Sequence, residues 1–264
     1  MTAPQVTVSI AARDRLPMLR EAVASALAQD HDAFEVLVVD DGSGDETRDW
    51  LRALEASEPR ARVVFAAHGG VAAARARGVA EARGEFVCIL DSDDLLEPAA
   101  LRRTTDVLAS RADVALVYGN IRHLYADGTS RVRRYPRFTS NRLMSLATMV
   151  SPRVPFKHSG MTFRREVARS LGSYDPKLPS KIDIDLVLRF LAAGEKLELL
   201  DGEPIVAFRV HAGSMSRRRR AGLPVWFKLI DVYGPRSLAL RAGMKAIRGG
   251  AEVLKEVYVA VRRE

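Results

Sequence analysis

Short apolar runs alternate, along the first half of the chain, with segments whose apolar positions recur every three or four residues. Residues 6–10, 34–39, 62–66 and 86–90 read as strands. Residues 16–28, 45–57 and 71–82 read as helices between them. In the first, Pro17 suits the opening turn, and Leu19, Val23, Ala26 and Leu27 share a face. A helix near 98–109 and a strand over 113–118 continue the alternation. This pattern predicts an α/β fold: a mostly parallel central sheet with helices on both faces. The second half is less regular. Residues 119–137 read as a hairpin turning at Asp127-Gly128. Residues 138–160 read as a loop with short helices, broken by Pro152 and Pro155. A strand over 161–164, a short helix over 165–171 and a helix over 184–193 ended by Gly194 follow. Residues 204–210 read as a strand leading to His211, and the chain beyond 217 reads as helical and basic.

A chain of 264 residues, 47% hydrophobic, can build one substantial core, or a main domain with an appendage. The net charge of +8 is uneven: residues 1–214 carry 29 basic and 29 acidic side chains, residues 215–264 carry 12 and 4. The excess therefore belongs to the tail, and nucleic-acid binding by the whole chain is not expected. The single cysteine, Cys88, lies inside an apolar run, which predicts a buried inert thiol and fits a reducing compartment. The chain opens without a basic and then apolar leader, and no apolar stretch reaches bilayer-spanning length. The expected location is cytoplasmic, with peripheral contact at the inner face of the cell membrane as an option for the tail.

Two strand ends carry the candidate chemistry. The run over residues 86–90 ends in Asp91-Ser92-Asp93-Asp94. Strand alternation would send Asp91 and Asp93 to one side. Paired carboxylates repel unless a cation lies between them, and Mg²⁺ prefers one or two carboxylates plus phosphate oxygens. The site lies where open α/β sheets bind ligands, beyond the carboxyl ends of strands. The competing reading is a solvated acidic loop with Asp94 starting a helix. The second strand ends in Asp40-Asp41-Gly42-Ser43, where a carboxylate can accept a hydrogen bond from a ring N–H or a ribose hydroxyl. A plain turn with a helix cap is the alternative.

Read together, these blocks resemble family 2 glycosyltransferases of GT-A fold. The Asp-Asp-Gly-Ser turn at 40–43, the Gly-Val-x-x-Ala-Arg-x-x-Gly helix at 70–78 and the Ala-Arg-Gly-Glu lead at 82–85 into Asp91-Ser92-Asp93 occur in the family's order. The resemblance covers about residues 5–215 and is strongest over the first 105. It implies a catalytic domain over 1–216, divided into a nucleotide-binding half (1–118) and an acceptor-side half (119–216), with a basic helical extension over 217–264. It implies an inverting transfer from a nucleotide-diphospho-sugar donor to a hydroxyl-bearing acceptor. Asp40 or Asp41 would contact the base with Arg75 nearby. Ala11, Arg13 and Ser92 would line the donor site, and Asp91 would lie near the ribose. Asp93 would hold Mg²⁺ or Mn²⁺.

Further along, Ile182-Asp183-Ile184-Asp185-Leu186-Val187-Leu188-Arg189 resembles the family's Glu-Asp-x-Asp-Leu-x-Leu-Arg. Asp183 matches the general base. Asp185 competes with it, and is also explained as a helix-start charge that pairs with Arg189. The segment Arg209-Val210-His211-Ala212-Gly213-Ser214 resembles Arg-x-His-x-x-Ser, which would bring His211 to the metal or diphosphate and Arg209 and Ser214 to phosphate oxygens. A satisfied structural histidine is the alternative reading of His211.

Three departures stand out. Ala11-Ala12-Arg13-Asp14 replaces the common Pro-Thr-Tyr-Asn, removing an aromatic that would stack on a base; Ala76 replaces an Asn; Ile182 replaces a Glu. Two rival functions remain. A nucleotidyltransferase would carry a glycine-rich loop after the first strand, and residues 11–15 contain no glycine. A catalytically silent, nucleotide-sugar-binding or membrane-tethering module would not depend on Asp183. For the tail, cations at 217–220 beside Trp226, Phe227 and aliphatic residues suit a membrane-surface helix. The alternative is a helical pair packed on the catalytic domain or in a homodimer.

Overall fold

The computed structural model describes residues 4–211 and 222–261, with side chains through 253. The elements run β1 (Val6–Ala12), α1 (Leu16–Leu27), β2 (Phe34–Asp41), α2 (Asp45–Ser57), β3 (Ala61–Ala66), α3 (Val71–Glu81), β4 (Phe86–Asp91), β5 (Leu95–Leu96) and α4 (Ala100–Ser110). They continue with β6 (Val114–Gly119), β7 (Ile121–Leu124), β8 (Ser130–Arg133), α5 (Asn141–Val150), β9 (Thr162–Arg164), α6 (Arg165–Ser170) and α7 (Ile182–Ala192). The chain closes with β10 (Lys196–Leu200), β11 (Val206–Arg209), α8 (Leu223–Tyr233) and α9 (Leu238–Val261).

The main sheet has seven strands in the order β10-β6-β9-β4-β1-β2-β3. β1 pairs in parallel with β2 and β4, β2 with β3, and β10 with β6; only β9 runs antiparallel, between β4 and β6. After β1, the chain builds outward to β3 and then returns to place β4 on the other side of β1. That reversal puts the switch point, and hence the ligand crevice of an open α/β sheet, at the carboxyl ends of β1 and β4. There Ala11 pairs with both Val39 and Asp91, and Ala12 with Asp40, so both acidic strand ends emerge on one edge. The strands are covered on both faces, as a parallel sheet requires: Val8, Ile10, Val36, Val38 and Phe86 line one face, while the other buries Leu37 and Val39 beside Ser9, Thr7 and Glu35, the Thr7 hydroxyl donating to Glu35 at 2.7 Å. Cys88 is buried in the same layer, and burial pushes its thiol up to about 12, so it is no nucleophile at neutral pH. A second sheet, β5-β11-β7-β8, flanks the acidic end of β4.

Two glycines of the motif blocks are explained by close approach. A Cβ at Gly78 would lie 2.2 Å from Ser9 Oγ, so its absence lets α3 sit directly on β1. A Cβ at Gly84 would lie 2.6 Å from the Thr7 backbone nitrogen, while the Gly84 N–H donates to Thr7 Oγ1 at 3.0 Å. Backbone cannot step aside as a flexible side chain can. Gly84→Ala is therefore expected to cost about 3 kcal/mol, read as a drop in the denaturant midpoint at unchanged slope.

Several elements differ from the sequence expectation. Residues 141–150 form one helix, not a broken loop, because Ser140 caps it by accepting the Leu143 N–H. β10 was not foreseen: its run Lys-Leu-Glu-Leu-Leu is only partly buried, at the sheet edge. α7 begins at Ile182, two residues earlier than its apolar pattern suggests, with Lys181 left-handed at φ 58° before it. This sets Asp183 in the first turn. β11 covers only Val206–Arg209, and β5 follows the acidic turn where a helix start was one reading of Asp94.

The extension packs onto the main core. Val225, Trp226, Leu229, Ile230 and Met244 are buried with it, against α5 and α7. The Arg248 guanidinium stacks 3.5 Å from the Trp226 ring centroid and pairs with buried Glu252 at 2.7 Å. The run at 217–220 lies outside the described residues.

Candidate active site

Four loops meet at the carboxyl edge, and their backbone is fixed before any ligand arrives. Asp14 and Arg15 are both left-handed, at φ 54° and 57°. The Asp14 N–H donates to Ser43 Oγ at 2.8 Å, and Asp14 Oδ1 accepts the Gly44 N–H at 2.8 Å. Asp40 is fully buried; its oxygens accept the Ser43 N–H and Arg48 Nε. Asp41 accepts the N–H groups of Gly69 and Gly70 and binds His68 Nδ1 at 2.9 Å. The other His68 nitrogen lies 2.8 Å from Arg13. A guanidinium can only donate, so Nε2 accepts and Nδ1–H donates to Asp41. The expectation that Asp40 contacts a base is thus corrected: its carboxylate is spent inside the protein, shaping the turn. Asp41 braces the His68 loop, and Arg13 and His68 are the exposed groups above it.

The acidic cluster is gathered by a turn. The strand ends at Asp91, and the Asp94 N–H donates to the Asp91 carbonyl at 3.0 Å. The turn, and not strand alternation, brings one oxygen each from Asp91, Asp93 and Asp94 within 4.8 Å of one another. Cations crowd around it. Arg75, one turn into α3, pairs with Asp91. Lys157 Nζ lies 3.4 Å from Asp91 and 3.6 Å from Asp94. It also sits 3.9 Å from the Phe208 ring centroid. Asp93 receives His211 Nε2 at 2.9 Å and Arg15 at 3.3 Å.

The electrostatics follow. Burial pushes the Asp91 carboxyl up, but Arg75, Lys157 and His158 outweigh it and hold it well below the usual range. Asp94, buried completely and beside two other carboxylates, is pushed up to about 7 against the pull of Lys157. Burial would lower Lys157, yet Asp94, Asp91 and Asp93 keep its ammonium above the ordinary lysine value.

Lys157 is the residue that sequence reading missed. It opens the run Lys157-His158-Ser159-Gly160, which wraps the end of β4. His158 bonds Tyr174 Oη at 2.6 Å, the Asp91 N–H donates to Ser159 Oγ, and the Gly160 N–H donates to the Ile89 carbonyl. Four polar or small residues after Pro155 form no periodic pattern, so the only available cue was a basic residue in a proline-bounded loop.

The residue set suits a hard divalent cation. Three carboxylates converge, all donors are oxygen apart from His211, and Asp94 Oδ2 is buried without a hydrogen-bond partner. Asp91 and Asp93, both partly exposed and with His211 beside Asp93, are the residues that could hold such an ion.

Asp183, in the first turn of α7, lies within electrostatic reach of Arg75. Its charge acts on the Arg75 guanidinium together with that of Asp91; burial lowers Arg75, and these carboxylates outweigh it. The same pair acts on Tyr174, whose hydroxyl is raised by burial first, against Arg75, and then by Asp183 and Asp91. Asp185 is different. It is buried, accepts Tyr233 Oη at 2.8 Å and pairs with Arg189 at 2.7 Å, which ties α8 to α7 and removes it as a base. Arg209 gives its guanidinium to Glu21 and its backbone N–H to Asp94, so the phosphate role expected of it is not free to be played. Ala11 contributes only backbone at the strand edge, Ser92 is partly exposed in the turn, and Ser214 lies outside the described residues.

Residues 7–172 match the family described as Glycosyl transferase family 2. Among curated relatives, chondroitin synthase of Pasteurella multocida (strain Pm70) is 28% identical over 194 residues, 73% of this chain and 19% of that one. The succinoglycan biosynthesis protein ExoO of Rhizobium meliloti (strain 1021) is 33% identical over 204 residues, 75% of this chain and 55% of that one. The chain thus spans from about a fifth to just over half of their lengths. Among solved structures, S. aureus TarS 1–349 in complex with UDP-GlcNAc superposes with a TM-score of 0.69 at 16% identity, over 94% of this chain and 72% of that one. The mixed α/β sheet with its acidic strand ends, the motif order and the matched span agree: this chain belongs to glycosyl transferase family 2.

Proposed function

We propose that this chain transfers a sugar from a nucleoside-diphosphate sugar to an acceptor hydroxyl, inverting the anomeric centre. The observation that carries the reading is Arg75, on which the charges of Asp91 and Asp183 both act. Asp183 and Asp91 thus both lie within electrostatic reach of one guanidinium, which supports a donor-side and an acceptor-side carboxylate serving one direct displacement.

The roles follow from position. Arg13 and His68, with Asp41 fixing the His68 tautomer, meet the nucleobase at the exposed end. Asp91, held ionised by Arg75, accepts from sugar hydroxyls. Asp93 and Asp91, with His211 alongside, would hold Mg²⁺ or Mn²⁺. Bound there, the ion supplies positive charge to the diphosphate oxygens, which gain negative charge as the leaving group departs. Asp183 takes the acceptor proton while the acceptor oxygen bonds to the anomeric carbon; the bond to the diphosphate oxygen breaks and its electron pair leaves with the phosphate. A base on the face opposite the leaving group gives inversion. Lys157 keeps the acidic cluster from repelling itself and orients Asp91 through the run it opens.

The test is thermal shift with nucleoside diphosphates and their sugars, beginning with UDP and UDP-GlcNAc, the ligands named for TarS. One diphosphate is expected to raise Tm in the presence of Mn²⁺, by the equivalent of about 2.7 kcal/mol at a hundred times Kd. Asp93→Ala is expected to abolish the metal-dependent part of that shift. A screen in which no nucleoside diphosphate moves Tm, with or without metal, sinks the proposal.

A further inference from the structure

α9 is built inside out. A surface helix normally turns its charges to water and its apolar stripe to the core. Among the described side chains of α9, the exposed ones are all apolar or glycine. They include Leu238, Leu240 and Ile247, at 76%, 60% and 58% exposure, and Gly243 and Gly250, where an added Cβ would meet nothing. Its described charged side chains, Arg241, Lys245, Arg248 and Glu252, recur at i, i+4, i+7 and i+11 on the other side. Each is engaged within the protein: Arg241 with the Asp231 carbonyl, Lys245 with the Asp231 carboxylate at 2.7 Å, and Arg248 with Glu252 and the Ser151 carbonyl. The pairing that usually solvates such a helix is thus directed inward, leaving a charge-free outer face. A contiguous exposed apolar face of this kind marks a contact surface.

Charge decides what the face contacts. The whole positive excess of the chain lies in residues 215–264, with 12 basic against 4 acidic side chains. Lys228 and Arg236 are exposed on α8 and at the start of α9. In sequence, arginines at 217–220 precede this helical pair, and Arg262-Arg263 follow it. A second copy of the same face would bring like charges together, which disfavours self-association. An anionic surface that also accepts apolar side chains satisfies both features. No helix among the described residues is long and apolar enough to cross a membrane, so the fitting arrangement is a helix lying in the interface.

We propose that the outer face of α9 docks on a bilayer containing anionic lipid, with Leu240 and Ile247 inserted and the exposed cations Lys228 and Arg236 drawn to the headgroups. The inference does not rest on the assignment of the catalytic residues. It is tested by flotation of the full chain with vesicles of phosphatidylcholine alone and of phosphatidylcholine with phosphatidylglycerol in equal parts. Binding to the anionic vesicles is expected to exceed that to the neutral ones at least about tenfold, and to weaken as salt screens the headgroups. The double variant Leu240→Glu/Ile247→Glu is expected to lose at least about tenfold in binding. Both positions are exposed, so its Tm is expected to match the parent. Equal flotation of parent and double variant on anionic vesicles overturns the proposal. So does a concentration-dependent dimer, formed without vesicles, that the double variant dissociates, because the face would then be covered by a second copy.

Discussion

Asp183→Asn is expected to lower transfer by about 10²–10⁴-fold while leaving nucleoside-diphosphate binding unchanged, the range for removing a positioned general base. The substitution keeps the shape and the hydrogen-bonding reach of the side chain and removes its basicity. Asp183 lies in the first turn of α7 and is not one of the three clustered carboxylates, so the contacts that Asp91, Asp93 and Asp94 make with Arg75, Lys157 and His211 remain in place. Rate and binding should therefore separate: kcat falls, and the Tm shift given by the diphosphate stays. Asp185→Asn is the contrasting case. Asp185 holds Tyr233 and Arg189, so its loss is expected to lower stability more than chemistry. Unchanged turnover in Asp183→Asn would remove the base assignment and leave the fold assignment intact.

Lys157→Met is expected to carry the largest stability effect, about 3–5 kcal/mol, because it strands buried carboxylates without their cation. Methionine keeps the aliphatic bulk of the lysine stem but lacks its ammonium, so the approach of Nζ to the Phe208 ring is lost together with the charge. Burial already pushes Asp94 up to about 7 with the ammonium in place, and losing that ammonium raises it further. A carboxyl raised in the folded state costs stability as pH climbs through its folded value. The penalty is therefore expected to be greatest above neutrality and to shrink as pH falls and Asp94 takes a proton. Adding Asp94→Asn to Lys157→Met should recover part of the loss, a coupling that chemical denaturation at several pH values reads directly. Equal destabilisation at pH 5 and pH 8 would mean that Lys157 acts through packing and not through charge.

The first half of the fold was legible because it is locally consistent. Buried strands dominated by Val, Ile and Leu, helices with one apolar stripe, and glycines where α3 and the 82–85 lead press on β1 all point the same way. The acidic strand end was legible as well, since it stands at a discontinuity in an apolar pattern. What escaped is what tertiary contacts create. Lys157 reaches Asp91 and Asp94 across more than sixty positions of sequence, from a loop with no period. Asp40 reads like Asp41 in the sequence; only the approach of Arg48 makes one of them wholly internal. β10 is an amphipathic edge strand of five residues, too short and too mixed to announce itself.

The family match stops at residue 172, ten residues short of α7, while the bond from Tyr233 to Asp185 and the seat of Trp226 carry the folded unit some sixty residues further. A fragment trimmed to the matched span would omit Asp183, the proposed proton acceptor, altogether. One trimmed at 216 would keep it but expose the faces of α5 and α7 that α8 covers and leave Asp185 with Arg189 and without Tyr233. The shortest piece that reports honestly on catalysis is therefore longer than the homology that identifies it.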